Sequence, residues 1–148
     1  MIVPAGFMFG SRSVLGNIAS AMPATYFIDR KRKLVLSAAN DVLTCADLIE
    51  RTDRLRRDPE FVPEYRELFD FMGVTRIELS AAEIQSMAAG SPFAPSSRRA
   101  FLVTGELAYA LGRMSASYHD LNGERNISVF RDRAEALRWL ETGEQRED

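Results

Sequence analysis

Cysteine and histidine are the side chains of this sequence that could form a nucleophile and its base, and each occurs once. Covalent catalysis by cysteine requires a thiol within hydrogen-bond reach of such a base. Cys45 falls in the first turn of a predicted helix, where a small sulfur side chain suits the core. His119 falls near a predicted helix C-terminus, where a positive imidazole would suit the helix dipole and cap the helix. We therefore expect no catalytic residue and no enzymatic activity.

A carboxylate and a hydroxyl group near predicted strand ends are candidates for binding or regulatory residues. Asp70 lies at the end of the apolar run Tyr65–Phe71, and open α/β sheets bind ligands at the carboxyl edge of their strands. Its alternative role is to order the following loop. Ser80 is followed three residues later by Glu83, a spacing typical of a helix capping box.

Apolar side chains suggest a different kind of site. A cleft between the second and third predicted helices could be lined by the loop around Phe93 together with Met87, Tyr109 and Met114. Mobile methionines suit apolar ligands, and Arg113 could neutralise an anionic head group at the rim. The alternatives are a simple core stripe and an exposed protein interface.

The composition is that of an ordinary globular protein. The 148 residues are 46% hydrophobic and 27% charged, which fits one domain. One cysteine and one histidine are too few for a structural zinc site, so we expect no metal and no cofactor. The net charge of -2 offers no attraction to nucleic acid. The basic run from Arg51 to Arg57 alternates with acids, which predicts a solvated helix face with the i,i+4 pairs Asp47–Arg51, Glu50–Arg54 and Asp53–Arg57.

The two ends of the chain differ from the middle. Residues 1–22 contain one charge, Arg12, and neither a convincing secretory leader nor a membrane span, so we expect a cytoplasmic protein. This extension is either a short helix that docks on this domain or on a partner, or an extension of the reading frame upstream of Met22, which would then be the true initiator. Residues 142–148 are predicted to be a disordered tail.

Between these ends, strand-like and helix-like segments alternate, which predicts an α/β fold over residues 24–141. The first two strands flank a charged turn and predict an antiparallel hairpin. Longer crossovers keep the later strands parallel, so a five-stranded mixed sheet with about four helices is implied. The predicted strands are Tyr26–Ile28, Leu34–Leu36, Tyr65–Phe71, Ala100–Val103 and Ile127–Phe130; the predicted helices begin near Cys45, Ser80, Glu106 and Asp132.

The third predicted helix carries an apolar stripe. Leu107, Leu111, Met114 and Tyr118 are spaced four, three and four residues apart, so they share one helix face. We interpret this face as core packing.

Three segments, together with the order of elements, resemble the SpoIIAA-like family of the STAS/SEC14-like group, relatives of anti-anti-sigma factors. In the middle segment, Tyr109 precedes the pair Arg113-Met114 as in the family, but Ala110 replaces a glycine, which would narrow a pocket there. The segments are Leu68-Phe69-Asp70 with Val74–Ser80, Ala100–Met114, and Val129-Phe130-Arg131-Asp132 with Ala136-Leu137 and Trp139-Leu140.

The resemblance implies a non-enzymatic regulatory or protein-binding module, and a homodimer is one form of such an interface. It places Ser80 at the family's phosphoacceptor position, where a helix N-terminus would stabilise phosphate; the alternative is a plain helix cap. Leu79 and Ala81 depart from the family's serine and glycine. SEC14-like relatives bind lipids, so the alternative function is a binder of a small hydrophobic ligand or lipid.

Overall fold

A computed structural model describes residues 24–144, which form five strands and four helices. The predictions for residues 1–22 and for the last four residues lie outside this range. Thr142 and Gly143 of the predicted tail belong to the end of the last helix, where Gly143 adopts a left-handed φ of 78°. The elements are β1 Ala24–Asp29, β2 Leu34–Thr44, α1 Cys45–Arg57, β3 Arg66–Glu78, α2 Ala81–Ala89, β4 Arg99–Leu102, α3 Glu106–Leu121, β5 Ile127–Phe130 and α4 Arg133–Thr142.

The five strands form one mixed sheet in the order β1-β2-β3-β4-β5. β1 and β2 pair antiparallel as a hairpin, and β2 to β5 are parallel neighbours. The long crossover connections that contain α1, α2 and α3 allow this parallel pairing. The predicted fold class, a mixed five-stranded sheet with four helices, is therefore confirmed.

β2 and β3 are much longer than predicted and extend beyond the other strands as a two-stranded ribbon. The pairing register shifts between Ala38 and Asn40, and the ribbon then continues to Thr44 and Glu78. Gly73 permits the close approach of Asn40, whose Oδ1 lies 2.0 Å from the place where a Cβ would stand. Asp70 therefore lies in the middle of β3 and not at its end, which corrects the predicted position.

The two faces of the sheet are covered differently. Within the described residues, α4 covers one face, where Trp139 and Leu140 pack on Leu68 and Leu102. Leu48 and Leu55 of α1 pack on the opposite face, in clusters with Phe69, Phe101 and Val35. Strand residues alternate between the faces, so Glu67, Phe69 and Phe71 all belong to the face that α1 covers.

Polar side chains begin three of the helices. Thr44 and Asp132 each accept a hydrogen bond from the backbone three residues ahead, and Ser80 forms the predicted capping box with Glu83. Each such cap stabilises its helix by about 1 kcal/mol. The predicted capping box at Ser80 and the predicted helix starts near Cys45 and Asp132 are therefore confirmed.

None of the helices in residues 24–144 is long and apolar enough to span a bilayer.

Candidate functional site

A cavity of about 480 Å³ lies between the sheet and the helices α1, α2 and α3. Phe69, Phe71 and Phe101 form its floor, with Phe69 and Phe71 stacked at 4.1 Å between ring centroids. The ribbon after Gly73 forms one wall. The apolar lining consists of Leu43, Leu48, Phe69, Phe71, Val74, Ile77, Leu79, Ile84, Met87, Pro92, Phe101, Val103, Leu107, Ala108 and Leu111.

Helix α3 forms the opposite wall, and this wall includes two residues of the predicted apolar stripe, Leu107 and Leu111. Ala108, Leu111, Gly112 and Ser115 line the cavity. Leu107 lines its mouth and is 65% exposed, so the interpretation of the stripe as core packing is wrong for this residue. A helix whose apolar side chains face an open cavity leaves them partly in contact with solvent.

Gly112 allows α3 to lie close to the sheet. A Cβ at this position would stand 3.2 Å from a methyl carbon of Val129 on β5. Nothing in the sequence distinguishes this glycine from one that ends a helix, so its packing role could not be predicted.

A buried ionic network lies beneath the inner end of the cavity. Its centre is Glu67 of β3, which is 0% exposed. Arg51 Nη1 and Ser37 Oγ donate to Glu67 Oε2 at 3.1 and 2.7 Å, and Arg99 Nε donates to Oε1 at 2.9 Å. Although burial opposes ionisation, Arg99 and Arg51 hold the pKa of Glu67 below its ordinary value.

The network continues from Arg99 to Glu124 and His119. Arg99 Nη1 donates to Glu124 Oε1 at 3.1 Å, and His119 Nδ1 lies 3.2 Å from Glu124 Oε2. Burial opposes ionisation here too, but the hydrogen bond from His119 and the charge of Arg99 lower the pKa of Glu124. His119 lies in the last turn of α3 as predicted, but its buried contact with Glu124 links it to the network.

The prediction that the basic run of α1 forms a wholly solvated face is wrong for Arg51. Its side chain is 4% exposed and pairs with Glu67 instead of Asp47. Of the predicted i,i+4 pairs, Arg54 with Glu50 forms at 2.8 Å, whereas Asp53 pairs with Arg56 at 3.1 Å. The sequence does indicate that Glu67 is buried. Glu67 alternates with Phe69 and Phe71, so in a strand its charge lies on the face that packs against the core.

Arg51 has an unused hydrogen-bonding edge. Within the described residues, its guanidinium makes one hydrogen bond, from Nη1 to Glu67. Its Nε is buried without an acceptor, and its Cζ lies 4.5 Å from the ring centroid of Phe69. Arg51 is among the residues that line the cavity, next to the ring of Phe69 on its floor, although its Nε is itself closed off from solvent.

The structure separates the apolar residues that were predicted to share a cleft. Met87 lines the cavity. Phe93 is 5% exposed and packs against Phe61, with the Arg99 guanidinium 4.3 Å from its ring centroid. Phe93 therefore packs against Arg99 of the ionic network and does not line the cavity.

Tyr109, Arg113 and Met114 are also outside the cavity lining. The Tyr109 ring lies between two guanidinium groups, with Arg131 4.1 Å and Arg113 5.8 Å from its centroid. Ala110 is exposed, so the prediction that its methyl narrows a pocket is wrong. The residues of α3 that line the cavity, Ala108, Leu111 and Ser115 among them, belong to the same turns but to a different face of the helix.

Asp70 lies on the face of the sheet that α4 covers. Its carboxylate pairs with Arg133 at the beginning of that helix and also accepts a hydrogen bond from the Met72 backbone at 2.8 Å. These contacts fit the alternative role proposed for Asp70, which is to order the chain that follows it. Asp70 does not line the cavity.

Ser80 and Cys45 lie near α2. Ser80 Oγ accepts from the Glu83 backbone at 3.1 Å, and the Ser80 backbone donates to the Glu83 carboxylate at 2.9 Å. Burial and the charge of Glu83 raise the pKa of the Cys45 thiol, which disfavours the thiolate that nucleophilic attack requires. Between Ala24 and Glu144, no group of three His, Cys, Asp or Glu side chains could hold a metal ion.

The strand order, the hairpin and the four helices define an α/β protein with the SpoIIAA-like fold. A crystal structure from Shewanella loihica PV-4, an uncharacterised DUF3478-family protein with a SpoIIAA-like fold, superposes with a TM-score of 0.54 at 22% identity. The match covers 79% of this chain and 93% of that chain. No protein-family model matches the sequence, and no curated protein matches it. The SpoIIAA-like fold predicted from the sequence is confirmed.

Proposed function

We propose that this protein is a non-enzymatic module that binds a small hydrophobic molecule in the cavity between the sheet and α1, α2 and α3. The observation that carries the proposal is the set of half-buried apolar side chains facing this space, among them Phe71, Val74, Ile77 and Leu111. Apolar surface in contact with water gains about 25 cal/mol per Å² when a ligand covers it.

The size of the cavity limits the ligand. Its volume of about 480 Å³ equals that of roughly 16 water molecules at about 30 Å³ each. Small-molecule sites span about 300 to 1,000 Å³, so this one lies at the small end. A single alkyl chain or a ligand of two or three rings, with up to about 20 non-hydrogen atoms, fits a site of this size, whereas a two-chain phospholipid exceeds it.

The lining also supports binding over catalysis. Phenyl and aliphatic groups supply its floor and walls, and its buried charged side chains pair with one another. A network in which each carboxylate already neutralises a guanidinium is suited to holding structure and orienting a ligand. The hypotheses that the protein binds a protein partner and that Ser80 accepts phosphate stay predictions.

The proposal is tested by titrating the protein with N-phenyl-1-naphthylamine, a neutral dye that fluoresces in apolar surroundings. We expect saturable binding with a micromolar dissociation constant. Ala108→Trp places a large ring in the cavity and should weaken dye binding at least tenfold. Ala110→Trp is the matched control, because Ala110 lies two residues further along the same helix, is exposed and does not line the cavity.

Two results would contradict the proposal. One is the absence of saturable dye binding to the folded wild-type protein. The other is equal binding by the Ala108→Trp and Ala110→Trp variants, which would place the dye elsewhere on the surface. Thermal melts of both variants confirm that each is folded before its dissociation constant is compared.

A further inference from the structure

We propose that Arg51 anchors the head group of the ligand and that this head group is a carboxylate on an apolar tail. The inference rests on the proposed function and deepens it by naming the chemical class of the ligand. Its basis is a buried guanidinium that lines a mostly apolar cavity and whose Nε has no acceptor among the described residues.

The unused edge has the geometry that carboxylates prefer. Nη1 of Arg51 is bonded to Glu67, and the buried Nε has no acceptor among the described residues. Nε and Nη2 together form one side of the planar guanidinium, a fork that matches the two oxygens of a carboxylate. A buried donor without an acceptor costs about 1 to 3 kcal/mol, so a ligand oxygen that reaches this edge with a small side-chain adjustment removes that penalty.

The arrangement of charge also favours an anion. Arg51, Arg76, Arg99 and His119 line the cavity, whereas Glu67 and Glu124 do not; the carboxylate of Glu106 also lines it but is 94% exposed. A head group that reaches Arg51 from the cavity is therefore nearer to the guanidinium groups of Arg51 and Arg99 than to the two buried carboxylates behind them. Arg51 is 4% exposed, so solvent screens its charge less than it would screen a charge on the surface.

Arg51 is better suited to this role than the other arginines near the cavity. Arg99 is engaged by Glu67, Glu124 and Ser91. Arg76 stands at the rim with 69% of its side chain exposed, where solvent weakens an ion pair. Arg113, the residue that the sequence suggested for an anionic head group, lies outside the cavity lining.

The test compares decanoate with 1-decanol, which has the same ten-carbon chain and a neutral head. Each displaces N-phenyl-1-naphthylamine from the wild-type protein at pH 7.5, where decanoate is ionised. We expect decanoate to bind at least tenfold more tightly than 1-decanol, a difference of about 1.4 kcal/mol. Equal affinities, or tighter binding of 1-decanol, would overturn the role of Arg51 and leave the hydrophobic cavity standing.

The variant Arg51→Lys keeps the charge but removes the planar fork. We expect the preference for decanoate to fall below threefold while 1-decanol binds within twofold of its wild-type affinity. Arg57→Lys is the matched control, because Arg57 is an exposed residue of the same helix outside the cavity. A preference that survives in Arg51→Lys would contradict the inference. The wild-type comparison remains decisive if Arg51→Lys does not fold, and failure of the dye itself to bind would instead reject the proposed function.

Discussion

Replacing Glu67 with glutamine should reveal how strongly the fold depends on the buried ionic network. The carboxylate is 0% exposed and accepts hydrogen bonds from Ser37, Arg51 and Arg99. Glu67→Gln preserves the shape of the side chain but leaves two buried guanidinium groups with less negative charge. Removing one partner from a buried ion pair costs about 3 to 5 kcal/mol, a large part of the roughly 5 to 15 kcal/mol that stabilises an ordinary domain.

The assay is urea unfolding at pH 7.5, followed by circular dichroism and by fluorescence of Trp139. We expect Glu67→Gln to lower the free energy of unfolding by about 3 to 5 kcal/mol, or the melting temperature by roughly 6 to 20 °C. Glu64→Gln is the control; Glu64 is exposed, and its substitution should change stability by less than about 0.5 kcal/mol. A loss below about 1 kcal/mol in Glu67→Gln would refute the reasoning that Glu67 compensates both arginines.

The pH dependence gives a separate check of the same group. The pKa of Glu67 is lower in the folded protein than its ordinary value of 4.5. Its contribution to stability is therefore fully present above about pH 4.5 and is lost as the pH falls through the lowered folded value. The stability difference between wild type and Glu67→Gln should be constant from pH 6 to 8 and should shrink below pH 4.5. A difference that grows on acidification would contradict the assigned direction.

Other side chains give further predictions. Ser80→Ala should destabilise the protein by about 1 kcal/mol through loss of the capping box, measured by urea unfolding; an unchanged midpoint would contradict the cap. If Ser80 is also a phosphoacceptor, incubation with lysate and ATP followed by mass spectrometry should find phosphate on Ser80, and its absence across growth conditions would reject the regulatory hypothesis. Cys45 should react with iodoacetamide at pH 7.5 more slowly than free cysteine, because burial raises the pKa of its thiol; a faster rate would refute that environment.

The periodicity of the sequence was sufficient to predict most of the secondary structure. The spacing of Ser80 and Glu83 predicted the start of α2, and the predicted start of α1 near Cys45 agrees with the structure. Caps and turns are local interactions, so the residues that make them lie close together in the sequence. The ribbon of β2 and β3 was missed because its pairing depends on a register shift and on the contact between Gly73 and Asn40, which are 33 positions apart.

The candidate site was less predictable than the fold. Met87 lines the cavity, whereas Phe93, Tyr109 and Met114, which the sequence grouped with it, lie elsewhere. Each step of one residue along a helix rotates the side chain by about 100°, so a neighbour of a cavity residue lies on another face. An apolar stripe does not show whether it meets another side chain or an open space.

The sequence by itself determined the alternation of strands and helices, the helix caps and the parallel order of the later strands, because these depend on spacing and on the length of connections. The tertiary structure alone decided which charges are buried. Arg51, Glu67, Arg99 and Glu124 come from four separate segments, and each looks like an ordinary surface residue in its own segment. Only the packing of α1 and the strands excludes water from these side chains and makes each charge depend on the others.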